Sequence, residues 1–195
     1  MGFGDALMTA GLAQERYAQD PARRPVTICA IGGEPRWNPV WMGNPAIQVP
    51  YAKMGLFHPP YITTGKGCLP YLQYPYSLET GWRFSDWRAR DHRGSLYLTA
   101  EERAEGQALR DAIGSFLLLE PTAARKLGNR RPPVAFWQAL ADELRPGPLP
   151  VVQLAHAAAV PLAGVTQIPN RDFRHAGAIL SAATVLVTTE GGLPH

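Results

Sequence analysis

Three short stretches of this chain carry residue types that could act on a phosphorylated substrate. Gly2-Phe3-Gly4-Asp5 places a lone carboxylate behind two glycines, Arg125, Lys126, Arg130 and Arg131 gather four cations, and Glu190-Gly191-Gly192 forms a glycine turn ahead of His195. A carboxylate can take a proton as a general base. Cations and the amides of a glycine turn can stabilise phosphate charge. Together they suggest a diphosphate leaving group opposite a base. Each piece also has a plain structural alternative: Asp5 as an ordinary helix cap, the cation run as a solvated loop, and His195 as a frayed end.

Other chemistries find less support. His58, His92, His156 and His175 show no HxxxH or HxxE spacing, so a metal site is not expected. The two cysteines, Cys29 and Cys68, are too few for a disulfide scaffold or a zinc site, and Cys29 lies in an apolar run that reads as core. No GxSxG elbow is present, which disfavours serine hydrolysis. Gly2-x-Gly4 lacks the third glycine and the preceding strand of a dinucleotide fingerprint, and Glu34 is the nearest candidate for a ribose acid. GKG at 65 to 67 is not a Walker loop.

The elements that would position these residues can be read from apolar periodicity. Ala6 to Tyr17 puts Leu7, Ala10, Ala13 and Tyr17 at helical spacing, with Asp5 placed to cap it. VTICAI (26 to 31) reads as a buried parallel strand. From about 32 to 95 the pattern gives way to Pro, Gly and aromatics, an insertion that folds on itself or covers a ligand. Thr99 and Glu102 form a capping-box pattern opening a helix that runs to Ile113. FLLLE (116 to 120), FWQALADEL (136 to 144), VVQL (151 to 154), FRHAGAILSAA (173 to 183) and VLVTT (185 to 189) then alternate strand and helix. That alternation predicts an α/β protein with a doubly wound parallel sheet. The expected division falls near Gly114, with residues 1–113 as one domain and 114–195 as a second.

Composition sets the bounds. A chain of 195 residues with 46% apolar residues can build a core, and 19 Gly with 19 Pro imply long irregular connections. The net charge is only +3, carried by sixteen Arg against three Lys. Arg excess suits phosphate or carboxylate recognition, although an Arg-rich surface explains most of it as well. No stretch has the length of a membrane span, the start MGFGDA resembles neither a signal peptide nor a myristoylation site, and a cytoplasmic protein is expected. Nucleic-acid binding by the Arg-rich aromatic insertion rests on charge and stacking potential alone, and such a partner is not expected.

Taken together, the segments resemble a known family. GFGDALMTAGLA resembles the G-x-G-D loop and first helix of bacterial glycosyltransferase family nine, the ADP-heptose:lipopolysaccharide heptosyltransferase-like proteins. EPRWNPVWMGNPAI, GSLYLTAEE, FLLLEPTAARKLGNRRPPVAFWQAL and FRHAGAILSAATVLVTTEGGLPH follow in matching order, so the resemblance covers nearly the whole chain. It implies a GT-B fold of two Rossmann-like domains, an N-terminal one for a glycan or lipid-linked acceptor and a C-terminal one for a nucleotide-diphosphate sugar. An ADP-linked donor is favoured, and neither metal nor other cofactor is implied. Asp5 matches the family's base, with Gly2 and Gly4 in the acceptor-side loop. Thr122, Lys126, Asn129, Arg130, Glu190, Gly191, Gly192 and His195 fall on the donor-binding segments.

The chain departs from that pattern at informative places. Arg130 stands where the family's N-K-x-W motif has Lys, the Trp is missing, and Lys126 offers a substitute cation. Glu190-Gly191 replaces Asp-Ser/Thr, which removes a hydroxyl donor from the phosphate turn. Both ends look shortened relative to the family, so the sheet edge left bare is expected to be covered by a segment from 50 to 95 or by another chain. A non-catalytic nucleotide-binding remnant, or a structural subunit of an assembly, is the rival expectation. Work at the inner face of the cytoplasmic membrane, with peripheral contact at most, follows from the resemblance.

Overall fold

A computed structural model describes residues 2–30, 33–50, 60–63, 72–77, 81–84, 94–121, 132–156 and 159–189, the strands at 72–77 and 81–84 by their backbone. The chain is α/β, and its contacts divide it into two units, one ending at Tyr97 and the next beginning at Leu98. Among the described residues no helix is long and apolar enough to cross a membrane.

The first unit opens with helix α1 (Phe3–Gln19). The expected start at Ala6 moves to Phe3 because Gly2, in extended conformation, takes the cap position and brings Gly4 and Asp5 into the first turn. Ala6, Leu7, Ala10 and Ala13 form its buried stripe. Strand β1 (Thr27–Cys29), buried throughout, is the core of the expected 26–31 strand, and it pairs in parallel with β2 (Tyr61–Thr63), Ile28 opposite Ile62. The partner therefore comes from within 50–95. A 3-10 turn at Pro39–Trp41 packs against α1, and Trp41 is sealed beneath it. At Gly94 the chain passes so close to α1 that an added Cβ would lie 1.8 Å from the Leu7 carbonyl oxygen, a contact open only to glycine. The hairpin β3 (Leu72–Ser77) and β4 (Gly81–Phe84) is antiparallel with an irregularity between Gln73 and Ser77.

The second unit begins with α2 (Ala100–Ile113), followed by β5 (Leu117–Glu120), α3 (Val134–Leu144), β6 (Val151–Ala155), β7 (Thr166–Pro169), α4 (Phe173–Ala182) and β8 (Val185–Thr188). The four strands are all parallel, in the order β7-β6-β5-β8. In chain order this is 3-2-1-4, compatible with a Rossmann-like sheet, whose first four strands run in that order. Side chains alternate across it. Phe116, Leu118, Val152, Leu154 and Ile168 pack with Ala176, Ile179 and Ala182 of α4, while Leu117, Leu119 and Val151 face Trp137 and Ala141 of α3. Leu109 and Ile113 of α2 join the α4 side.

The contact division at Tyr97/Leu98 differs from the expected one at Gly114, because α2 packs on α4. Arg174, 8% exposed at its side chain, forms a two-pronged pair with Glu102, Nε to Oε1 at 2.7 Å and Nη2 to Oε2 at 2.6 Å. The same Glu102 closes the expected capping box, accepting from the Thr99 amide at 2.8 Å while its own amide donates to Thr99 Oγ1 at 3.2 Å. Arg110 donates to the Ala182 carbonyl at 3.1 Å. Gly106 allows this approach, since a Cβ there would lie 2.5 Å from the Ala178 carbonyl oxygen.

Strand β7 is an addition to the expected elements. It lies parallel to β6, and among the described residues no helix stands between the two strands. Side-chain amides brace that connection: Gln153, fully buried, accepts from the Leu162 amide and from Gln167, and donates to the Val160 carbonyl. Gln138 exchanges two hydrogen bonds with the backbone of Ala163, at 2.8 and 3.1 Å.

Candidate functional site

In an open parallel sheet each strand ends at the same edge, and ligands settle where the strand order reverses, because the flanking loops diverge there. In the second unit that point lies between β5 and β8. Glu120 pairs in register with Thr188, so the segments following Glu120 and Thr189 leave from adjacent strand ends. These are the segments carrying the cation run and the Gly-Gly turn. Their residues Thr122, Lys126, Asn129, Arg130, Glu190, Gly191, Gly192 and His195 lie outside the described residues.

The described edge is polar. Each of the four strands ends in or is followed by a polar side chain: Glu120 after the leucines of β5, His156 after β6, Asn170 after β7 and Thr189 after β8. Glu120 is buried, with His156 Nε2 3.7 Å from its Oε1. Thr189 is buried with its Oγ1 lacking a hydrogen-bond partner among the described residues, and the same holds for Asn170 Oδ1. The Asn170 amide donates to the Ala155 carbonyl at 2.7 Å, which ties the β7 end to β6. Buried polar atoms of this kind are costly in an apolar setting, and functional crevices are one place where they are retained. None of these four residues stands among the sequence-level candidates. The signal for Glu120 is present in LLLE, a carboxylate at the carboxyl end of an apolar strand.

In the first unit, Asp5 occupies the third position of α1 and accepts the Gly2 amide at 3.1 Å through Oδ2, while its carbonyl accepts Thr9 Oγ1 at 2.8 Å. A carboxylate here also complements the positive end of the helix dipole. Gly2 and Gly4 thus serve as cap and first-turn residues of a helix.

A groove of about 420 Å³ lies elsewhere, between α2, α4 and the end of β7, lined by Gly106, Leu109, Ile168, Ala178 and the rim residues Glu105 and His175. Its walls are mainly apolar, and Glu105 pairs with Arg171 at 2.6 Å, so it offers little to a diphosphate. Among the described residues no group of three metal-ligating side chains converges. None of the family models, curated proteins or solved structures compared with the chain matches it.

Proposed function

We infer that the chain is an inverting glycosyltransferase of heptosyltransferase-like type, using a nucleotide-diphosphate sugar, ADP-linked by preference. The second unit takes the donor and the first unit the hydroxyl of a glycan or lipid-linked acceptor, in the GT-B manner, in the cytoplasm at the membrane's inner face. The observation that supports this is the register of Glu120 with Thr188 at the point where the sheet order reverses. It starts the two candidate phosphate-binding segments from neighbouring strand ends.

In this reaction Asp5 accepts the proton of the acceptor hydroxyl. The freed oxygen attacks the anomeric carbon, and the bond from that carbon to the diphosphate oxygen breaks on the opposite face, giving inversion. The negative charge left on the nucleoside diphosphate is met by Lys126 and Arg130 and by the amides around Gly191 and Gly192. No metal is required by this scheme.

A second reading, a nucleotide-binding protein without transferase activity, draws on the bond between Asp5 and the Gly2 amide, a role that any helix start can use. Calorimetric titration with ADP, and with UDP and GDP, separates the possibilities. Saturable ADP binding weakened about tenfold or more by Lys126→Ala or Arg130→Ala is expected, since a charge-assisted hydrogen bond contributes roughly 1.5–3 kcal/mol. Asp5→Asn should then retain ADP binding and lose sugar transfer. ADP binding with transfer absent from the wild-type chain favours the second reading, and a folded chain that binds none of the three nucleotides overturns both.

A further inference from the structure

We propose that the amino end of α3, the indole N–H of Trp137 and the hydroxyl of Thr189 form an oxyanion pocket that takes the diphosphate of the donor nucleotide. This rests on the donor role given above to the second unit and names the described groups that would hold its charge.

The pocket begins with a helix start that lacks a capping side chain. α2 and α4 open on Thr99 and Asp172, whose side-chain oxygens accept the amides of Glu102 and His175, and α1 carries Asp5 in its first turn. α3 opens on Pro133, which offers no side-chain acceptor, and its first turn holds no carboxylate. The amides of Phe136 and Trp137 turn back to the Pro133 carbonyl, while those of Val134 and Ala135, the first two positions, find no acceptor within a helix. Because β5 and β6 are parallel and α3 joins them, this end of α3 lies at the edge where the strands finish.

Two buried side chains give a second, independent sign of a ligand. Trp137, 3% exposed, has its Nε1 without a hydrogen-bond partner among the described residues, and Thr189, 9% exposed, has its Oγ1 in the same state. An indole N–H can only donate, so leaving it dry and unpaired costs free energy that a bound acceptor would restore. The sheet register puts the two on one face. Trp137 packs in one cluster with Leu117 and Leu119 of β5 and Val187 of β8, and Thr189 follows Val187 by the two-residue period of an extended chain. Helical side chains lean toward the amino end, which carries the Trp137 indole over the first turn, where Phe136 meets it edge to face with centroids 5.7 Å apart.

The carboxylate of this edge belongs to the opposite face. Glu120 and His156, 3.7 Å apart, follow Leu118 and Leu154, which pack toward α4. At the ends of β5 and β8 the α3 face therefore offers donors and the positive end of a helix dipole. That combination selects an oxyanion over a cation or an apolar group.

The test uses the full chain labelled with 15N at the indole nitrogens, so that each of its five tryptophans gives one N–H signal, with Trp137→Phe identifying the line of Trp137. Pyrophosphate, ADP and adenosine are titrated in turn. The expected result is a saturable downfield shift of the Trp137 indole proton with pyrophosphate and ADP, and none with adenosine. Thr189→Val, which keeps the shape and loses the hydroxyl, and Trp137→Phe should each weaken pyrophosphate binding about tenfold by calorimetry, since each removes a hydrogen bond to a charged group. Binding of pyrophosphate or ADP that leaves the Trp137 line unmoved, wild-type affinity in both variants, or binding of neither anion overturns the proposal. ADP binding that is weakened by Lys126→Ala with Trp137 unmoved refutes the pocket and leaves the donor reading standing. A Trp137 shift with pyrophosphate in a chain that binds no nucleotide refutes the donor reading and leaves the oxyanion pocket standing, so the two failures are distinguishable. Near-ultraviolet circular dichroism verifies that each variant is folded; should Trp137→Phe not fold, cross-relaxation with the Phe136 ring assigns the line and Thr189→Val carries the affinity test.

Discussion

Replacing Glu102 by Ala should be among the most damaging single changes in the second unit, because one side chain serves two structures. Its carboxylate closes the capping box of α2 and receives both prongs of Arg174, whose side chain is buried on α4. Breaking a buried pair by deleting one partner costs about 3–5 kcal/mol, because the remaining charge is stranded away from water. Loss of the cap interaction adds roughly 0.5–1 kcal/mol. Arg174 has further contacts and Glu102 is partly exposed, so the lower end applies, about 3 kcal/mol in all. Urea unfolding followed by far-ultraviolet circular dichroism measures it, and Arg174→Met in the Glu102→Ala background should recover much of the loss, since no charge is then buried. The pH dependence gives an independent reading. Arg174, ahead of the Thr99 amide, holds the Glu102 carboxyl below its usual range against an opposing contribution from burial. The stability it adds is therefore complete above the ordinary glutamate value, about 4.3, and is lost as pH falls through the lowered folded value. Glu102→Gln should flatten that decline. A Glu102→Ala variant within about 1 kcal/mol of wild type, or a pair of substitutions that simply add, would refute the reasoning.

Two further perturbations test the packing around the sheet. Gly106→Ala places a methyl 2.5 Å from the Ala178 carbonyl and should push α2 from α4 at a cost of about 1–3 kcal/mol, read as a lowered urea midpoint; an unchanged or raised midpoint would mean the helices are not in close contact. Gln153→Leu removes the acceptor of the Leu162 amide and the donor to the Val160 carbonyl, so a loss of about 2–3 kcal/mol is expected by the same assay, with faster hydrogen exchange at Leu162. Exchange at Leu162 as slow as in the wild type would count against the bracing role of this amide.

The second unit was largely legible from local pattern. Strands buried on both faces read as unbroken apolar runs, and β5 and β6 fall on FLLLE and VVQL for that reason, while the partly exposed β8 falls on VLVTT through its β-branched residues. The Thr99/Glu102 box was visible because both partners lie within one turn. What escaped depends on distant partners. TQIP of β7 is an edge strand containing proline, and only pairing with β6 makes it a strand. Tyr61–Thr63 has the same status beside β1. The attachment of α2 to α4 hangs on Glu102 and Arg174, 72 residues apart, and α2 has Gly106 as its only buried residue, so no apolar stripe announces its partner. At the candidate site, the rule that ligands gather at strand ends pointed to the loops after β5 and β8. It did not single out Glu120, His156, Asn170 or Thr189, whose proximity follows from the 3-2-1-4 order.

That order also dictates a sequence of assembly. During synthesis β5 emerges first, and β6 and β7 can extend the sheet on one side as they appear. The other side of β5 waits for β8, since Leu118 must find Leu186 across the whole intervening chain. Closing so long a loop is entropically dearer than the local pairings and is expected late. Until then the most apolar strand of the unit has a bare edge open to other nascent chains. Glu120 and Thr188 meet only in that final pairing, so the polar edge at these strand ends is assembled with completion of the fold and serves as a report of it.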